Sequence, residues 1–401
     1  MSDEIARPTS QTPQQSAASS SPSTDDKTGI ASLPDLTPVL GDAREVAQRC
    51  EDFRKVFSAL RTELGKVIVG QDEIISLTLV ALFADGHVLL EGVPGLGKTL
   101  LVSTLSQILT LPFNRIQFTP DLMPADIVGT NVLMEDHTTR RRAMEFRPGP
   151  IFAQIILADE VNRATPKTQA ALLEAMQERS VTVSGSTRHL VRPFLVLATQ
   201  NPIEQEGTYT LPEAQLDRFL LKMIVPYSDR KEMTEILTRT TSTAMPTVRP
   251  IVDGRFILQA QTLLRGVVVA DHVQDYAIRL VLATHPGTES APSVTNRYVK
   301  VGVSPRGVQA LVQCAKVRAV VAGRFACSFK DIEAVARPAL RHRVMVNFEA
   351  EAESVSSDDV IGELLSIVPH ELSKDSGPGS SGGANNTRRR LFGGRNRKAR
   401  S

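Results

Sequence analysis

A glycine-rich loop that ends in a lysine and a threonine is the clearest chemical feature of the sequence. Residues 92–99 read GVPGLGKT and match the pattern G-x-x-x-x-G-K-[ST]. Glycines let backbone N–H groups turn toward a phosphate, and the lysine can reach the β- and γ-phosphates of a nucleotide. An apolar run precedes the loop and a helical pattern follows it, which is the context this motif needs. The predicted nucleotide-binding residues here are Gly92, Pro94, Gly95, Leu96, Gly97, Lys98, Thr99 and Leu100, with the Thr99 hydroxyl as a Mg²⁺ ligand.

Two adjacent carboxylates could turn this binding loop into a hydrolytic site. The segment IILADE places Asp159 and Glu160 at the end of an apolar, strand-like run. Asp159 is predicted to hold Mg²⁺ through its water shell, and Glu160 to polarise the attacking water. A solvated strand end is the alternative interpretation, and the nearby phosphate loop favours the catalytic one.

Three further polar residues follow at the ends of predicted elements. Asn201, after the run FLVLATQ, could hydrogen-bond the γ-phosphate or the attacking water. Arg218 could reach into a neighbouring subunit's site, or simply pair with Asp217 at the surface. Arg306 lies in the first turn of a helix that Ser304 caps, where a cation opposes the helix dipole. Either a bound γ-phosphate or a nearby carboxylate would compensate that charge.

The composition limits the class of protein. The chain has 401 residues, 41% hydrophobic and 22% charged, with a net charge of +2 and only three cysteines. These values are typical of a globular protein of about two domains in a reducing compartment. Aromatic residues make up 4%, which argues against a stacking platform for single-stranded nucleic acid. The N-terminus lacks a secretory pattern, and the run LTLVALFADGHVLL is too interrupted to span a bilayer. We therefore expect a cytoplasmic protein without membrane insertion.

The pattern of apolar residues predicts an α/β domain followed by a helical one. Short apolar runs at 87–92, 113–118, 155–160, 194–200 and 220–225 alternate with helical patterns, which favours a parallel sheet with helices on both faces. The predicted division is a disordered tail (1–38), the α/β domain (39–228), an all-helical domain (229–350), and a C-terminal segment with a Gly/Ser linker and a basic tail (351–401). Helices are expected at about 43–64, from 72 to 84, and at 229–240, 254–265, 271–283, 306–322 and 330–341. Hairpins are expected in 130–152 and 180–193.

The order of these motifs resembles the MoxR family of AAA+ ATPases over about residues 40 to 345. The segments that carry the resemblance are VGQDE, GVPGLGKT, LADEVNRATPKTQAALLEAMQER, ATQNP, GTYTLPEAQLDRF and SPRG. The resemblance implies a P-loop domain with a helical lid and ATP between them. It also implies roles by position: Lys98 and Thr99 as the Walker A pair, Asp159 and Glu160 as the Walker B acids, Asn201 as sensor 1, Arg218 as the arginine finger, Arg306 as sensor 2, and Val69, Gly70 and Gln71 at the adenine.

The resemblance also indicates what the hydrolysis of ATP is used for. It implies a ring, expected to be a homohexamer, that binds ATP and Mg²⁺ and remodels or matures client protein complexes, often with von Willebrand factor A-domain proteins. The alternative is a DNA-associated motor that binds nucleic acid through the basic tail, through Arg140–Arg142, or through Arg188, His189 and Arg192 of the second hairpin. A nucleotide-binding scaffold with little turnover is a third hypothesis, which the set of carboxylates and arginines disfavours.

Overall fold

The computed structural model describes residues 33–37, 43–135, 142–202, 208–241 and 246–370. Most of the predicted disordered tail, the whole basic tail, and Arg140 and Arg141 lie outside these ranges. The prediction of disorder through residue 38 is wrong for 33–37. Leu36 there is fully buried, and Asp35 accepts a hydrogen bond of 2.9 Å from Gln259. Leu36 belongs to the large hydrophobic core and Leu33 packs against it, although the sequence before residue 33 is rich in Ser and Pro.

Eleven strands occur in the described residues, most of them before residue 225. The strands are β1 Val88–Glu91, β2 Phe113–Gln117, β3 Gly129–Glu135, β4 Arg142–Pro148, β5 Ile155–Asp159, β6 Ser180–Val183, β7 Ser186–His189, β8 Leu195–Gln200, β9 Leu221–Ile224, β10 Val299–Val301 and β11 Met345–Val346. Five of them form a parallel sheet in the order β2-β5-β8-β1-β9. All five predicted strands are confirmed to within two residues.

Helices cover the sheet and build the rest of the chain. They are α1 Ala43–Gly65, α2 Asp72–Phe83, α3 Lys98–Leu109, α4 Pro124–Val128, α5 Pro166–Glu178, α6 Glu213–Leu216, α7 Arg230–Thr241, α8 Gly254–Arg265, α9 Asp271–Leu282, α10 Ser293–Tyr298, α11 Pro305–Val321, α12 Phe329–Leu340, α13 Phe348–Ala352 and α14 Ser357–Ile367. The helices expected from periodicity are confirmed.

The sheet is buried on both faces because alternate strand residues enter two different cores. Val88 and Leu90 of β1 belong to a core with α1, α2, α3 and the later helices. Leu89, between them, belongs to a second core with α4 and α5. Polar side chains therefore gather at two edges of the sheet, one where the parallel strands begin and one where they end.

The second half of the chain is a helical lid with one addition. β10 and β11 form a short antiparallel pair within it. The helices α10, α13 and α14 were not expected, and α14 continues the helical part beyond residue 350 to Ile367. Val360, Ile361 and Leu364 of α14 are fully buried against this core. The capping pair Ser356 and Asp359 was the sequence signal for this short helix.

Both predicted hairpins are present. β3 pairs with β4 and β6 pairs with β7, each antiparallel. Ser184 and Gly185 form the turn of the second hairpin with positive φ values of 50° and 80°. Residues 136–141 of the first hairpin lie outside the described ranges.

Candidate active site

The phosphate loop connects β1 to α3 and leaves open space along its inner side. Gly95 and Gly97 have φ values of +85° and +73°, the left-handed region that favours glycine. A Cβ atom at either glycine would meet no atom within 4 Å. α3 begins at Lys98, as predicted, so its N-terminal N–H groups point toward this space. The loop therefore has the shape and the donors that a chain of phosphates requires.

The remaining predicted residues of the loop take different positions. Gly92 is buried against Val225, whereas Pro94 is exposed. Leu100 lies in the first turn of α3 and is 46% exposed. The Leu96 carbonyl accepts a hydrogen bond of 3.0 Å from the Gln71 side chain, which ties the loop to the segment before α2.

Lys98 lies close to the loop backbone and to the acid pair. Its Nζ donates to the Gly92 carbonyl oxygen at 2.5 Å. Burial lowers the pKa of Lys98, while the nearby charges of Asp159 and Glu160 act to raise it. A bound triphosphate would add negative charge next to this lysine and favour its charged form.

Thr199 holds the two acids at the end of β5. Its hydroxyl donates to Asp159 Oδ1 at 2.6 Å and accepts from the Glu160 N–H at 2.8 Å. Glu160 has a positive φ of 58°, which is uncommon for a residue with a side chain. The hydrogen bond to its N–H helps to maintain that conformation.

Three other side chains contact the acids. Arg115 pairs with Asp159 at 2.7 Å, and Gln117 donates to Glu160 Oε2 at 2.7 Å. Arg163 forms an ion pair of 3.0 Å with Glu160. Arg115, Gln117 and Thr199 were not expected from the sequence, because their contacts with the acids follow from the register of β2, β5 and β8 and not from a local motif.

Asn201 directly follows β8, the strand between β5 and β1. It is buried, with 5% exposure. Since the ends of parallel strands meet at one edge, Asn201 lies between the acid pair and the phosphate loop. This is the location that its predicted role requires.

The donor set fits a magnesium ion that is held partly by a nucleotide. Within the described ranges, no group of three or more His, Cys, Asp or Glu side chains is arranged to bind a metal. Mg²⁺ in nucleotide sites is usually held by one or two protein ligands together with phosphate oxygens and water. The Thr99 hydroxyl and the Asp159 carboxylate would serve as such ligands for a nucleotide-bound Mg²⁺.

A cleft of about 330 Å³ lies at the segment before α2, which Gln71 ties to the loop. Gly70 and Gln71 line one side of this cleft; binding of adenine at Val69, Gly70 and Gln71 stays a prediction. The lid forms the other side through Pro338, Arg341 and Asp358. Arg341 and Asp358 form a two-pronged ion pair, with Nε–Oδ1 at 3.0 Å and Nη2–Oδ2 at 2.9 Å. These lid residues were not expected from the sequence.

Arg218 and Arg306 lie at the opposite edge of the sheet from the phosphate loop. β9 runs parallel to β1, with Leu221 opposite Val88. Arg218 precedes the start of β9, whereas the loop follows the end of β1, so the two lie at opposite ends of these paired strands. Arg218 and Arg306 line one cleft of about 240 Å³. The structure brings these two arginines together and does not bring either of them to the Lys98 side of the same chain.

The surroundings of the two arginines differ from what the sequence suggested. The Arg218 side chain donates to the Leu173 carbonyl oxygen at 3.0 Å. Asp217 instead pairs with Arg343 at 2.7 Å and lies 4.0 Å from Arg306. A carboxylate therefore offsets the Arg306 charge at the start of α11, which is one of the two possibilities left open above.

Comparisons with known proteins agree with this architecture. A family profile described as the ATPase family associated with various cellular activities (AAA) matches residues 87–221, and one described as an AAA lid domain matches 292–364. The chain is 42% identical to Chaperone MoxR1 of Mycobacterium tuberculosis over 306 residues, or 76% of this chain and 80% of that protein. It is 41% identical to the uncharacterized protein YeaC of Bacillus subtilis over 321 residues, or 79% and 96%.

Two further matches cover nearly the whole of the other protein. Protein MoxR of Methylorubrum extorquens is 33% identical over 343 residues, 79% of this chain and 96% of that protein. A crystal structure of a candidate ATPase from Cytophaga hutchinsonii has a TM-score of 0.75 and 41% identity, covering 82% of this chain and 97% of that one. With its phosphate loop, acid pair and helical lid, this chain belongs to the MoxR family of chaperone-like AAA+ ATPases.

Proposed function

We propose that this protein hydrolyses Mg²⁺-bound ATP at a site shared by two copies of the chain. The observation that carries the proposal is the separation of the two parts of the machinery. The phosphate loop follows the end of β1, whereas Arg218 precedes the start of β9, at the other edge, and shares a cleft with Arg306 of α11. One chain therefore carries two half-sites that face away from each other, and the arginines of one copy can complete the loop of the next.

The residues on the loop side would bind and activate. Backbone N–H groups of residues 92–99 and Lys98 would hold the phosphates. Thr99 and Asp159 would hold Mg²⁺, which when bound neutralises charge on the β- and γ-phosphates. Glu160 would take up the role of orienting and polarising the attacking water, and Asn201 would hydrogen-bond the γ-phosphate.

The arginine side would act in the transition state. Charge that develops on the transferred phosphoryl group needs cations placed in advance. Arg218 and Arg306 of the adjacent copy supply two of them. An arginine finger of this kind contributes about 10³–10⁵ in rate.

Repeated head-to-tail contact of this type gives a ring when the rotation between copies closes. We propose a homohexamer in which the lid, packed on both the base cleft and the arginine segment, links the state of the nucleotide to the contact between subunits. The movement would remodel or mature client protein complexes, with von Willebrand factor A-domain proteins as candidate partners. The name of the relative Chaperone MoxR1 supports a chaperone-like role. A cytoplasmic location stays a prediction.

The nucleic-acid alternative receives no support from the second hairpin. The Arg188 guanidinium lies 3.9 Å from the centre of the Phe146 ring, and Arg192 pairs with Asp85 at 2.9 Å. Both cations thus make intramolecular contacts, Arg188 with an aromatic ring and Arg192 with a carboxylate. The basic tail lies outside the described residues. Among the described helices, none is both long and apolar enough to cross a membrane.

The test uses two variants that damage opposite half-sites. Glu160→Gln should bind ATP without turnover, and Arg218→Ala should lose about 10³-fold in turnover. A mixture of the two should recover activity, because an intact loop side on an Arg218→Ala copy meets intact arginines on a Glu160→Gln copy. In a random 1:1 mixture about one interface in four is complete. Phosphate release that stays at the level of the separate variants would refute the shared site.

A further inference from the structure

Asp217 lies where the lid, Arg306 and Arg218 meet. Its Oδ1 accepts a hydrogen bond of 2.7 Å from Arg343 Nε, and its Oδ2 accepts one of 2.8 Å from the Ser304 hydroxyl. The Arg306 guanidinium is 4.0 Å from Oδ2. One carboxylate thereby joins two lid elements to the segment that carries Arg218.

Arg343, from the lid, donates hydrogen bonds to the backbone of the segment 217–220 that carries Arg218. Its side chain is only 3% exposed, and it also donates to the carbonyl oxygens of Phe219 at 2.7 Å and Leu220 at 3.2 Å. Burial lowers the pKa of Arg343, and the bond to Asp217 acts against this. Because a buried unpaired charge is costly, Asp217 supplies the carboxylate that compensates the buried guanidinium of Arg343.

Ser304 connects the same carboxylate to Arg306. The Ser304 hydroxyl caps α11 by accepting from the Arg306 N–H at 3.2 Å while it donates to Asp217. A cation in the first turn of a helix opposes the helix dipole. The negative charge of Asp217 compensates this, so the start of α11 and the Arg306 side chain are both held relative to Asp217.

Arg218 is the next residue in the chain, so its backbone position follows that of Asp217. Among the described residues, the Arg218 side chain donates to the Leu173 carbonyl oxygen at 3.0 Å. Its buried Nε has no hydrogen-bond partner within the described structure. The guanidinium is thus anchored on one side only, and its direction depends on the segment that Asp217 holds.

We propose that Asp217 is a positioning residue that fixes Arg218 and Arg306 as a single unit and connects this unit to the lid through Arg343. The inference rests on the proposed function, in which both arginines act on the ATP of the adjacent copy. Asp217 itself touches no nucleotide. Its loss should therefore reduce the rate of the chemical step and leave nucleotide binding nearly unchanged.

The test compares Asp217→Asn with Glu349→Gln. Both changes turn a carboxylate that accepts from an arginine Nε at 2.7 Å into an amide, but the Glu349 pair with Arg297 lies within the lid, away from the arginine cleft. Asp217→Asn should lower kcat about 100-fold, the effect of a misplacement of about 1 Å, with KM for ATP changed less than about twofold. Glu349→Gln should behave as the unchanged protein does.

Mixing with Glu160→Gln separates misplaced arginines from misfolding. Asp217→Asn copies keep an intact loop side, so the mixture should recover activity to the level of the Arg218→Ala and Glu160→Gln mixture. A kcat of Asp217→Asn within about threefold of the unchanged protein would overturn the inference. Failure to recover in a mixture, while the Arg218→Ala mixture does recover, would also overturn it. If the Arg218→Ala mixture fails as well, the shared site itself is wrong and the inference falls with it.

Discussion

The two edges of the parallel sheet differ in how their polar side chains are held. At the phosphate edge, the left-handed glycines and the acid pair lie in short segments of the chain, and Thr199 of the neighbouring strand β8, 40 positions after Asp159, holds the acids in place. At the arginine edge, long-range contacts are needed, because Asp217 is held by lid residues that follow it by 87 and 126 positions. The phosphate-binding groups and the acids therefore depend mainly on the strands of the sheet, whereas the placement of the arginines depends on the docked lid.

This difference has a consequence for coupling. The lid contacts the base cleft through Arg341 and the arginine segment through Arg343, two residues apart at the end of α12. A shift of this end of α12 would therefore move the contacts of Arg341 at the base cleft and those of Arg343 at the arginine segment. We expect nucleotide binding at one edge to influence the arginines at the other through this short stretch of the lid.

The largest expected difference is that a variant at the phosphate edge loses ATP binding, whereas a variant at the arginine edge loses only ATP turnover. Lys98→Ala removes a phosphate contact and should abolish measurable ATP binding together with turnover. Arg218→Ala should leave affinity for ATP nearly unchanged while turnover falls about 10³-fold. Titration with a fluorescent ATP analogue and phosphate-release assays measure the two quantities. Equal loss of affinity in both variants would contradict the division into a binding edge and a turnover edge.

Acid should weaken the arginine edge through His87, which precedes β1. Its Nδ1 accepts from the Val196 N–H at 3.1 Å and its Nε2 contacts the Met176 carbonyl oxygen at 3.1 Å. Burial lowers the pKa of His87 from 6.5 to about 4. The unfolded chain therefore takes up this proton first as the pH falls, so stability is present above pH 6.5 and is lost between pH 6.5 and 4. The expected loss is about 3 kcal/mol.

Denaturant unfolding at pH 7 and pH 4.5 measures this contribution. His87→Gln cannot titrate and should show a smaller decrease in unfolding free energy than the unchanged protein. His189→Gln, at an exposed position of β7, is the matched control and should keep the full decrease. The same decrease in all three proteins would exclude His87 as the cause.

Removal of the Thr199 hydroxyl should affect catalysis at the phosphate edge. Thr199→Val keeps the shape but leaves the Glu160 N–H and the Asp159 carboxylate without their common partner. We expect turnover to fall about 10- to 100-fold, as for the loss of hydrogen bonds to a charged group, with ATP affinity little changed. Thr199→Ser retains the hydroxyl and should stay close to the unchanged protein. Undiminished turnover in Thr199→Val would show that the acid pair is held in other ways.

The smallest expected effect concerns the choice of base. Adenine presents an amino donor where guanine presents a carbonyl acceptor, so a carboxylate in the cleft favours adenine. Asp358→Asn loses the negative charge and gains an amide donor that the guanine carbonyl can accept from, so it should reduce the preference for ATP over GTP about fivefold, close to 1 kcal/mol. Glu363→Gln, an exposed position on the same helix, is the control. Competition binding of the two nucleotides measures the ratio, and an unchanged ratio would remove Asp358 from base recognition.

Local patterns sufficed for much of this molecule. The five core strands, the main helices, the cap at Ser304 and both hairpins follow from apolar periodicity and turn residues, which act over a few positions. Leu36 was missed because it is a single buried residue whose partners are far away in the sequence. α14 was missed although its capping pair and its apolar residues mark it, because it is short and follows the predicted end of the helical domain. Arg115, Gln117 and Thr199 were missed because nothing near them in the chain marks them.

By itself, the sequence determined the phosphate loop, the acid pair and the strands that carry them, since these features are encoded by neighbouring residues. Only the tertiary structure decided where these groups meet. The strand order placed Thr199 beside the acid pair, and the parallel pairing of β9 with β1 put Arg218 at the edge away from the loop. The lid then brought Ser304 and Arg343 to Asp217. Such contacts join residues that are distant along the chain, and their formation depends on the packing of whole elements rather than on local preference.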